Sequence, residues 1–250
     1  MNWADPIYRY CERGQDAAFW AEPLNALSNV AYLLAACAAA ALLVRERREA
    51  AQPGPAALQG TVPMIALILL AATIGVGSFL FHTVATRWAR LADVIPIGVF
   101  MVGYLVYALR TFLGLRAMQV AGLAVLFLAI TAVAASISCP LKGASLVTYA
   151  REPCLKGSLG YIPALAALLL VAVLVHRRHA VARPLLMAAG AFGAAIMLRW
   201  LDTRACPFTM LLGKARGTHA GWHVLTALTL YLLLAAAIRD AVRGSYRPAA

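Results

Sequence analysis

The sequence predicts an all-α integral membrane protein, built as a bundle of seven transmembrane helices. Its 250 residues are 63% hydrophobic and only 13% charged, whereas a soluble domain is about 25% charged. The mean hydropathy is +0.78. Seven apolar segments approach the roughly 20 residues that a helix needs to cross a hydrocarbon core about 30 Å thick. Strands of a transmembrane β-barrel are shorter and alternate apolar with polar residues, so these long apolar segments exclude a barrel.

The seven helices are predicted to form a single domain, 1–250, with residues 1–22 as a polar and aromatic N-terminal segment. Pro23 suits the start of the first helix, where its missing N–H costs nothing. A charged cluster, 45–49, follows the first helix, and a longer loop between Cys139 and Cys154 precedes the fifth. The predicted helices are 23–44, 62–82, 91–109, 118–137, 159–175, 184–201 and 219–238.

The chain is strongly basic, with a formal net charge of +12. Its arginines lie mostly between apolar segments, where they are typical of lipid headgroup contacts, so we do not expect nucleic acid as a partner. Asp5, Glu12 and Asp16 come early with no apolar core before them, which is unlike a signal peptide. Arg199 and Asp202, spaced i,i+3 on the sixth helix, are predicted to form a structural rather than a catalytic pair.

Polar side chains interrupt the apolar sequence where the second helix ends and the third begins. Ser78 and His82 are spaced i,i+4, which places them on one helix face with roughly 5–6 Å between their Cβ atoms. Asp93 follows at the start of the third helix. Gly75 and Gly77 precede them without the rest of a nucleotide-binding fingerprint, so close helix packing is their expected use.

A second i,i+4 pair, this time of two histidines, begins the seventh helix: His219 and His223. Because successive helices alternate in direction, both of these residues and His82 lie toward the side that holds the N-terminus. Zinc is bound by imidazole nitrogens, and three protein ligands with one open position are typical of catalytic zinc. The three histidines therefore predict a zinc site. The alternative is that each histidine simply forms a hydrogen bond with a neighbouring helix.

Asp93 and Ser78 are candidate catalytic groups beside this zinc site. A buried carboxylate within a membrane helix is costly unless it is paired or used. Asp93 could orient a histidine or act as a general base. Ser78 could form a hydrogen bond within its own helix, or it could steer water and stabilise a developing oxyanion. The pair of His219 and His223 lacks the glutamate of HExxH metalloproteases, which leaves Asp93 as the available base.

Several of these stretches together resemble a known family. Residues 78–82 (SFLFH), Asp93 and 218–223 (THAGWH) resemble the alkaline ceramidases. That family belongs to a superfamily of seven-helix membrane hydrolases that includes the adiponectin and progestin receptors. Residues 10–12 (YCE) and 21–29 (AEPLNALSN) resemble the N-terminal pattern of the same family. The composition, rich in Ala, Arg and Leu, resembles that of a bacterial member.

The resemblance implies a zinc-dependent amidase that hydrolyses ceramide-like N-acyl sphingoid lipids to a free fatty acid and a sphingoid base. It implies zinc binding by His82, His219 and His223, activation of water by Asp93, and polarisation of the amide or stabilisation of the oxyanion by Ser78. The substrate is expected to reach the site from the lipid phase. Two alternatives remain open: a related hydrolase of another acyl amide or ester, and a non-catalytic, receptor-like protein that keeps zinc for stability.

The resemblance also implies calcium as a second cofactor, held by the N-terminal segment. Glu12 and Glu22 match family ligand positions, whereas Arg9 and Gly14 replace an aspartate and an asparagine. Asp16 is the expected substitute, because calcium accepts flexible arrangements of oxygen ligands. The alternative is that these acidic residues pair with nearby arginines and cap the first helix.

Four of the five cysteines are predicted on the N-terminal side, and only Cys37 lies within a helix. Two disulfides in an oxidising compartment are the expected arrangement. Cys139 with Cys154 would close the long loop. Cys11 with Cys206 would tie the N-terminal segment to the loop before the seventh helix, and the family resemblance points to the same pairing. A second metal site is the alternative, although no C-x-x-C spacing supports it.

Lysine and arginine divide equally between the two sides, so the positive-inside rule assigns no orientation. The cysteines favour an oxidising compartment on the N-terminal side. We therefore expect a multi-pass protein of a bacterial inner membrane, with a periplasmic N-terminus and a cytoplasmic C-terminus. The zinc site would then lie near the outer leaflet.

Overall fold

A computed structural model describes residues 2–49, 61–140 and 151–244. These residues form seven helices that are long and apolar enough to cross a membrane, which confirms the predicted fold class. We label them α1 (Pro23–Glu49), α2 (Val62–Val84), α3 (Arg87–Phe112), α4 (Ala117–Ser136), α5 (Cys154–Leu174), α6 (Ala180–Phe208) and α7 (His219–Val242).

Several helices are longer than the sequence predicts. α1 continues to Glu49, five residues past its predicted end, and α3 begins at Arg87 and ends at Phe112. Apolar composition marks only the part of a helix that lies in hydrocarbon. The backbone hydrogen bonds continue into the headgroup region, where long charged side chains reach polar surroundings. α5 differs in another way, because residues 155–157 near its start have left-handed backbone dihedrals, and its regular α-helix is Ile162–Leu174.

Small residues allow the helices to pack closely. The main core joins α1, α2, α3, α5, α6 and α7, and Ala39, Ala71 and Ala237 within it are fully buried. Lipid tails are as apolar as the side chains, so helices in a bilayer associate mainly through van der Waals packing, which small residues improve by letting the backbones approach closely. Gly77 shows the closest approach, since a Cβ there would overlap the carbonyl of Ala92 on α3. This contact brings the start of α3 against the end of α2.

The N-terminal segment lies along the turn between α2 and α3. Ile7 donates its N–H to the carbonyl of Ala85 at 2.7 Å, and Arg87 donates its N–H to the carbonyl of Asp5 at 3.1 Å. Ala85 ends α2 in a left-handed conformation, with φ of 51°. These strand-like contacts place residues 8–22 over the same end of the bundle as the predicted zinc ligands.

Both predicted disulfide pairs are present in the structure. Cys139 pairs with Cys154 beside a two-stranded sheet of β1 (Ser138–Pro140) and β2 (Arg151–Pro153). Cys11 pairs with Cys206 at a Cα–Cα distance of 5.7 Å. A second small sheet, β3 (Met210–Leu211) with β4 (Lys214–Ala215), lies between α6 and α7. The disulfides therefore fasten the N-terminal segment and the connecting loops to one end of the bundle.

Candidate metal centre

Three buried histidines meet where α2 ends and α7 begins. One ring nitrogen of each residue, His82, His219 and His223, lies within 4.8 Å of those of the other two. Each residue is only 1% exposed. The ring centroids are 4.6 Å apart for the α7 pair, and 4.8 and 5.1 Å from His82 to His223 and His219. The predicted convergence of His82 with His219 and His223 at one depth is thus present in the structure, and the cluster could hold a metal ion.

The polar atoms of this cluster fit zinc. His82 Nε2 and His219 Nδ1 are buried and have no hydrogen-bond partner in the described part of the chain. Leaving a buried polar atom unsatisfied is costly, and a metal ion would satisfy both. Metal-binding histidines usually engage their other nitrogen with a polar partner. His82 Nδ1 lies 2.6 Å from Glu22 Oε2, and His223 Nδ1 lies 2.7 Å from Ser28 Oγ.

Glu22 is the carboxylate behind His82. Its Oε1 accepts a hydrogen bond from Arg13 Nε at 2.6 Å, and its Oε2 accepts one from Asn25 Nδ2 at 2.9 Å. Burial by itself would raise the pKa of Glu22, but the hydrogen bonds with His82, Asn25 and Arg13 outweigh burial and lower that pKa. Glu22 is therefore ionised and suited to orient the His82 ring.

Ser78 lies between the histidines and Asp93. Its Oγ is 3.5 Å from His223 Nε2 and close enough to interact with the Asp93 carboxylate. Both residues are buried, at 2% and 8% exposure. Asp93 is not part of the histidine cluster; it lines an adjacent cavity of about 270 Å³, together with Tyr10 and other residues. The close approach at Gly77 is what brings Asp93 beside Ser78.

Tyr10 and Arg199 also lie at the site, although the sequence predicted a role there for neither. The Tyr10 ring stacks on His219 with 3.8 Å between centroids, and Arg199 Nη1 donates to Tyr10 Oη at 2.9 Å. The Arg199 guanidinium also lies 5.5 Å from the ring centroid of Tyr161 and 5.3 Å from that of Trp222. Burial raises the pKa of Tyr10 to about 12, so its hydroxyl stays protonated. In the sequence, the only indication of a functional role for Arg199 is its charge within an apolar helix.

The predicted pair of Arg199 and Asp202 is wrong, because the two side chains have other partners. Asp202 Oδ1 accepts the backbone N–H groups of Thr218 at 2.9 Å and His219 at 3.0 Å, and Oδ2 accepts that of Cys11 at 2.9 Å. The first N–H groups of a helix lack partners within it. Asp202 therefore caps α7 and fixes the backbone of His219.

The three predicted calcium ligands do not form one cluster in the described residues, where only the histidines do so. Glu12 accepts the backbone N–H groups of Leu24 at 2.9 Å and Asn25 at 2.8 Å, and therefore caps α1. Its Oε1 also accepts from Arg216 Nη1 at 2.8 Å. Glu12 therefore caps the first helix and pairs with an arginine, which is the alternative to calcium binding stated above.

Asp16, the third predicted calcium ligand, is exposed, and its Oδ1 accepts the N–H of Ala18 at 2.9 Å. Its other oxygen lies 3.8 Å from Lys214 Nζ. Glu22, the second predicted ligand, pairs with Arg13, as described above. These oxygens face different partners, so they do not fit a shared calcium ion.

A second, apolar cavity extends from the site toward the opposite end of the bundle. Ile74, Phe100, Trp222 and Thr226 are among its lining residues, and Tyr161 lines both cavities. Trp222 is adjacent in sequence to the cluster residue His223. Apolar space therefore lies next to the buried histidines, on the side away from the N-terminal segment.

The fold and the site together define a seven-helix membrane protein with a buried three-histidine centre. Residues 8–245, nearly the whole chain, match the family model described as Ceramidase. The chain belongs to the ceramidase family, which confirms the resemblance drawn from its motifs. Membership supports hydrolysis of ceramide in general terms. No curated protein matches the chain.

Proposed function

We propose that this protein is a zinc-dependent amidase that hydrolyses ceramide-like N-acyl sphingoid lipids to a free fatty acid and a sphingoid base. The observation that carries the proposal is the buried cluster of His82, His219 and His223, with two ring nitrogens that lack partners. Membership of the ceramidase family supports the substrate class. The seven apolar helices support a lipid substrate that enters from the membrane.

His82, His219 and His223 would hold zinc, which supplies Lewis acidity and makes water nucleophilic near neutral pH. Each histidine has a partner that restricts its ring. Glu22 and Ser28 face the outer nitrogens of His82 and His223, while Tyr10 stacks on His219. Partners of this kind hold the donor atoms in place before a ligand binds.

Asp93 is the proposed general base. It accepts a proton from the water that attacks the amide carbonyl carbon, and it returns that proton to the nitrogen as the C–N bond breaks. The fatty acid then leaves as a carboxylate, and the sphingoid base takes up the second proton of the water and leaves as an ammonium ion. Ser78 is placed to donate a hydrogen bond to the developing oxyanion, since its Oγ lies near both His223 and Asp93.

The apolar cavity is the proposed place for a hydrocarbon chain of the substrate. It is lined almost entirely by apolar side chains, including Phe100 and Leu230. A chain that leaves the bilayer for this cavity stays in apolar surroundings. The amide can then lie at the histidines while the polar headgroup points toward the N-terminal segment.

We also propose that the N-terminus is periplasmic in a bacterial inner membrane, with the C-terminus in the cytoplasm. Both disulfides lie at the end of the bundle that holds the N-terminal segment. Disulfides persist in oxidising compartments. A protease that reaches only the periplasm should therefore cut a site inserted at the N-terminus; protection there, with cleavage at the C-terminus, contradicts this orientation.

Purified protein incubated with ceramides, other N-acyl lipids and acyl esters tests the activity. We expect release of a fatty acid and a sphingoid base, loss of that release on chelation, and recovery with zinc. If the protein hydrolyses another amide or ester but not ceramide, the proposed substrate is wrong and the proposed hydrolase chemistry remains. A protein that binds zinc but turns over no lipid would instead be the non-catalytic member.

A further inference from the structure

The Arg13 guanidinium contacts two of the three predicted calcium ligands, Asp16 and Glu22. Its side chain is buried, with only 2% of the residue exposed. A guanidinium has five N–H donors, and all five have acceptors here. The donors reach Glu22 Oε1 at 2.6 Å, the carbonyls of Asp16 at 3.0 Å and Ala18 at 3.1 Å, and the carbonyls of His82 at 2.8 Å and Thr83 at 3.1 Å.

The acceptors are one carboxylate oxygen and four backbone carbonyls, which are the ligand atoms that calcium prefers. We propose that Arg13 serves as a built-in cation in this chain and takes the structural place of calcium. Its guanidinium fastens the N-terminal segment to the end of α2. It thereby positions Glu22 against His82.

Arg13 connects three parts of the site that are distant in sequence. The carbonyls of His82 and Thr83 belong to the last turn of α2, where no intrahelical partner is available and a positive charge is favourable. Glu22 contacts Arg13 with one oxygen and His82 Nδ1 with the other. Arg13 is therefore a positioning residue for His82, and this part of the inference rests on the proposed role of His82 as a zinc ligand.

The test compares R13A and R13K with wild type, each purified in detergent and assayed with calcium, with methylguanidinium, or with neither. Calcium should not change the Tm of metal-stripped wild-type protein. R13A leaves Glu22 buried without its cation, so its Tm should fall by roughly 10 °C. Methylguanidinium should restore at least half of that loss, because it can fill the vacated position. R13K keeps a charge but has fewer donors, so its Tm should lie between the two.

R87A is the matched control, since Arg87 lies at the same end but pairs with Asp5 near the surface. It should keep its Tm and should not respond to methylguanidinium. Zinc affinity is the second readout: it should fall about 10–100-fold in R13A and recover with methylguanidinium.

A rise in Tm of wild-type protein on calcium addition would overturn the inference, as would an R13A protein with unchanged Tm and zinc affinity. If R13A cannot be purified, the R13K variant provides the test. An R13K protein whose Tm equals that of the wild type in the absence of methylguanidinium would contradict the role of Arg13. These readouts need no turnover, so they separate this inference from the proposed activity.

A different observation carries a second inference. Three arginines, Arg9, Arg90 and Arg199, line the 270 Å³ cavity, and Asp93 is the one carboxylate among the described residues that line it. Glu152 and Asp202 line a neighbouring cavity with Arg9 and Arg199. Among the residues that the structure describes, neither the Arg9 nor the Arg90 side chain forms a hydrogen bond or an ion pair. Arg199 Nε is buried and likewise lacks a partner within that part of the chain. The cavity therefore has a surplus of positive charge next to the proposed base.

Guanidinium groups bind phosphates and carboxylates through paired hydrogen bonds. We infer that this cavity receives an anionic group, a phosphate or a carboxylate, at the headgroup end of the substrate. The inference rests on the proposed function and narrows its substrate class. An anionic bilayer lipid has the same chemistry and is the other source of such a group.

The test measures kcat/KM for an N-acyl sphingoid base and for its 1-phosphate in neutral detergent, with and without added phosphatidylglycerol. We expect the phosphate to be preferred, and R90Q to lower kcat/KM for it about tenfold more than for the neutral lipid. R204Q is the control, since Arg204 stacks on Trp200.

If phosphatidylglycerol instead stimulates turnover of the neutral lipid in the wild type but not in R90Q, the anionic group in the cavity comes from a bilayer lipid and not from the substrate. Equal rates in all conditions would overturn the inference. Binding of both lipids to zinc-stripped protein, which needs no turnover, separates this outcome from failure of the proposed activity.

Discussion

The two ends of the helix bundle are stabilised by different interactions, and α7 shows the contrast within one helix. Its first residues include His219 and His223, which face other polar side chains. Its later residues, Leu234 to Ile238, are at most 2% exposed and entirely apolar. We call the end with the histidines the site half and the other the packed half.

Every buried side chain classed as polar or charged among the described residues lies in the site half. They are Glu12, Arg13, Glu22, Asn25, Asn29, Ser78, His82, Thr83, Asp93, Ser158, Asp202, His219, His223, Thr226 and Thr229. Buried polar groups destabilise a fold unless they find partners. The packed half can hold the bundle together by small-residue packing, which leaves the site half free to keep costly groups in place. Substitutions in the site half should therefore change zinc binding or catalysis, with or without a loss of stability, whereas those in the packed half should change stability alone.

Loss of a histidine from the cluster should have the largest effect. H223A removes one of three proposed ligands, so we expect loss of bound zinc and of hydrolysis. H176A is the control, because His176 is exposed and its Nδ1 lies 2.9 Å from the carbonyl of Val173. Zinc content and lipid turnover measured on both variants should differ sharply; equal zinc content would remove His223 from the metal centre.

Asp93→Asn should separate metal binding from catalysis. The variant keeps the shape of the side chain and leaves all three histidines in place, so we expect bound zinc with activity reduced about 10²–10⁴-fold. Asp240 in the packed half pairs with Arg178, and D240N should keep its activity per folded molecule. Full activity in folded D93N protein would exclude Asp93 as the base.

The contrast between the halves also explains what the sequence could predict. The packed half follows from apolar composition, and the histidines follow from i,i+4 spacing and the alternation of helix direction. Tyr10 and Arg199 meet across 189 positions of sequence, so no local pattern joins them. The calcium prediction followed carboxylates, whereas four of the five acceptors around Arg13 are backbone carbonyls, which have no sequence signature.

Leu234→Ala probes the packed half. Leu234 is fully buried, and truncation of such a side chain removes about 2–5 kcal/mol of stability. The zinc content and the kcat of the molecules that remain folded should not change, because the cavity forms far from the histidines. Denaturation in detergent together with turnover normalised to folded protein measures both quantities. A changed kcat would show that the halves are coupled.

Glu22→Gln should have a smaller effect, confined to the site half. The substitution removes the negative charge behind His82 while it keeps a polar side chain, so we expect zinc affinity to fall about 10–100-fold. Excess zinc should restore activity. Glu46 at the opposite end approaches Arg45 and Arg239 near the surface, and E46Q should leave zinc affinity unchanged. Affinity loss of equal size in both variants would argue for a general effect of charge.

The smallest effects should come from single hydroxyl groups, and a matched pair of them compares the two halves most directly. Tyr107 Oη donates to the carbonyl of Ala237 at 3.1 Å in the packed half, and Ser28 Oγ lies 2.7 Å from His223 Nδ1 in the site half. Each deletion, Y107F and S28A, removes one hydrogen bond worth about 0.5–1.5 kcal/mol. Y107F should lower the free energy of unfolding and leave zinc affinity alone. S28A should weaken zinc binding up to about tenfold, because the His223 ring loses its outer partner. If both variants lower unfolding stability equally and neither changes zinc affinity, the hydrogen bond of Ser28 serves packing and the division between the halves does not hold at this residue.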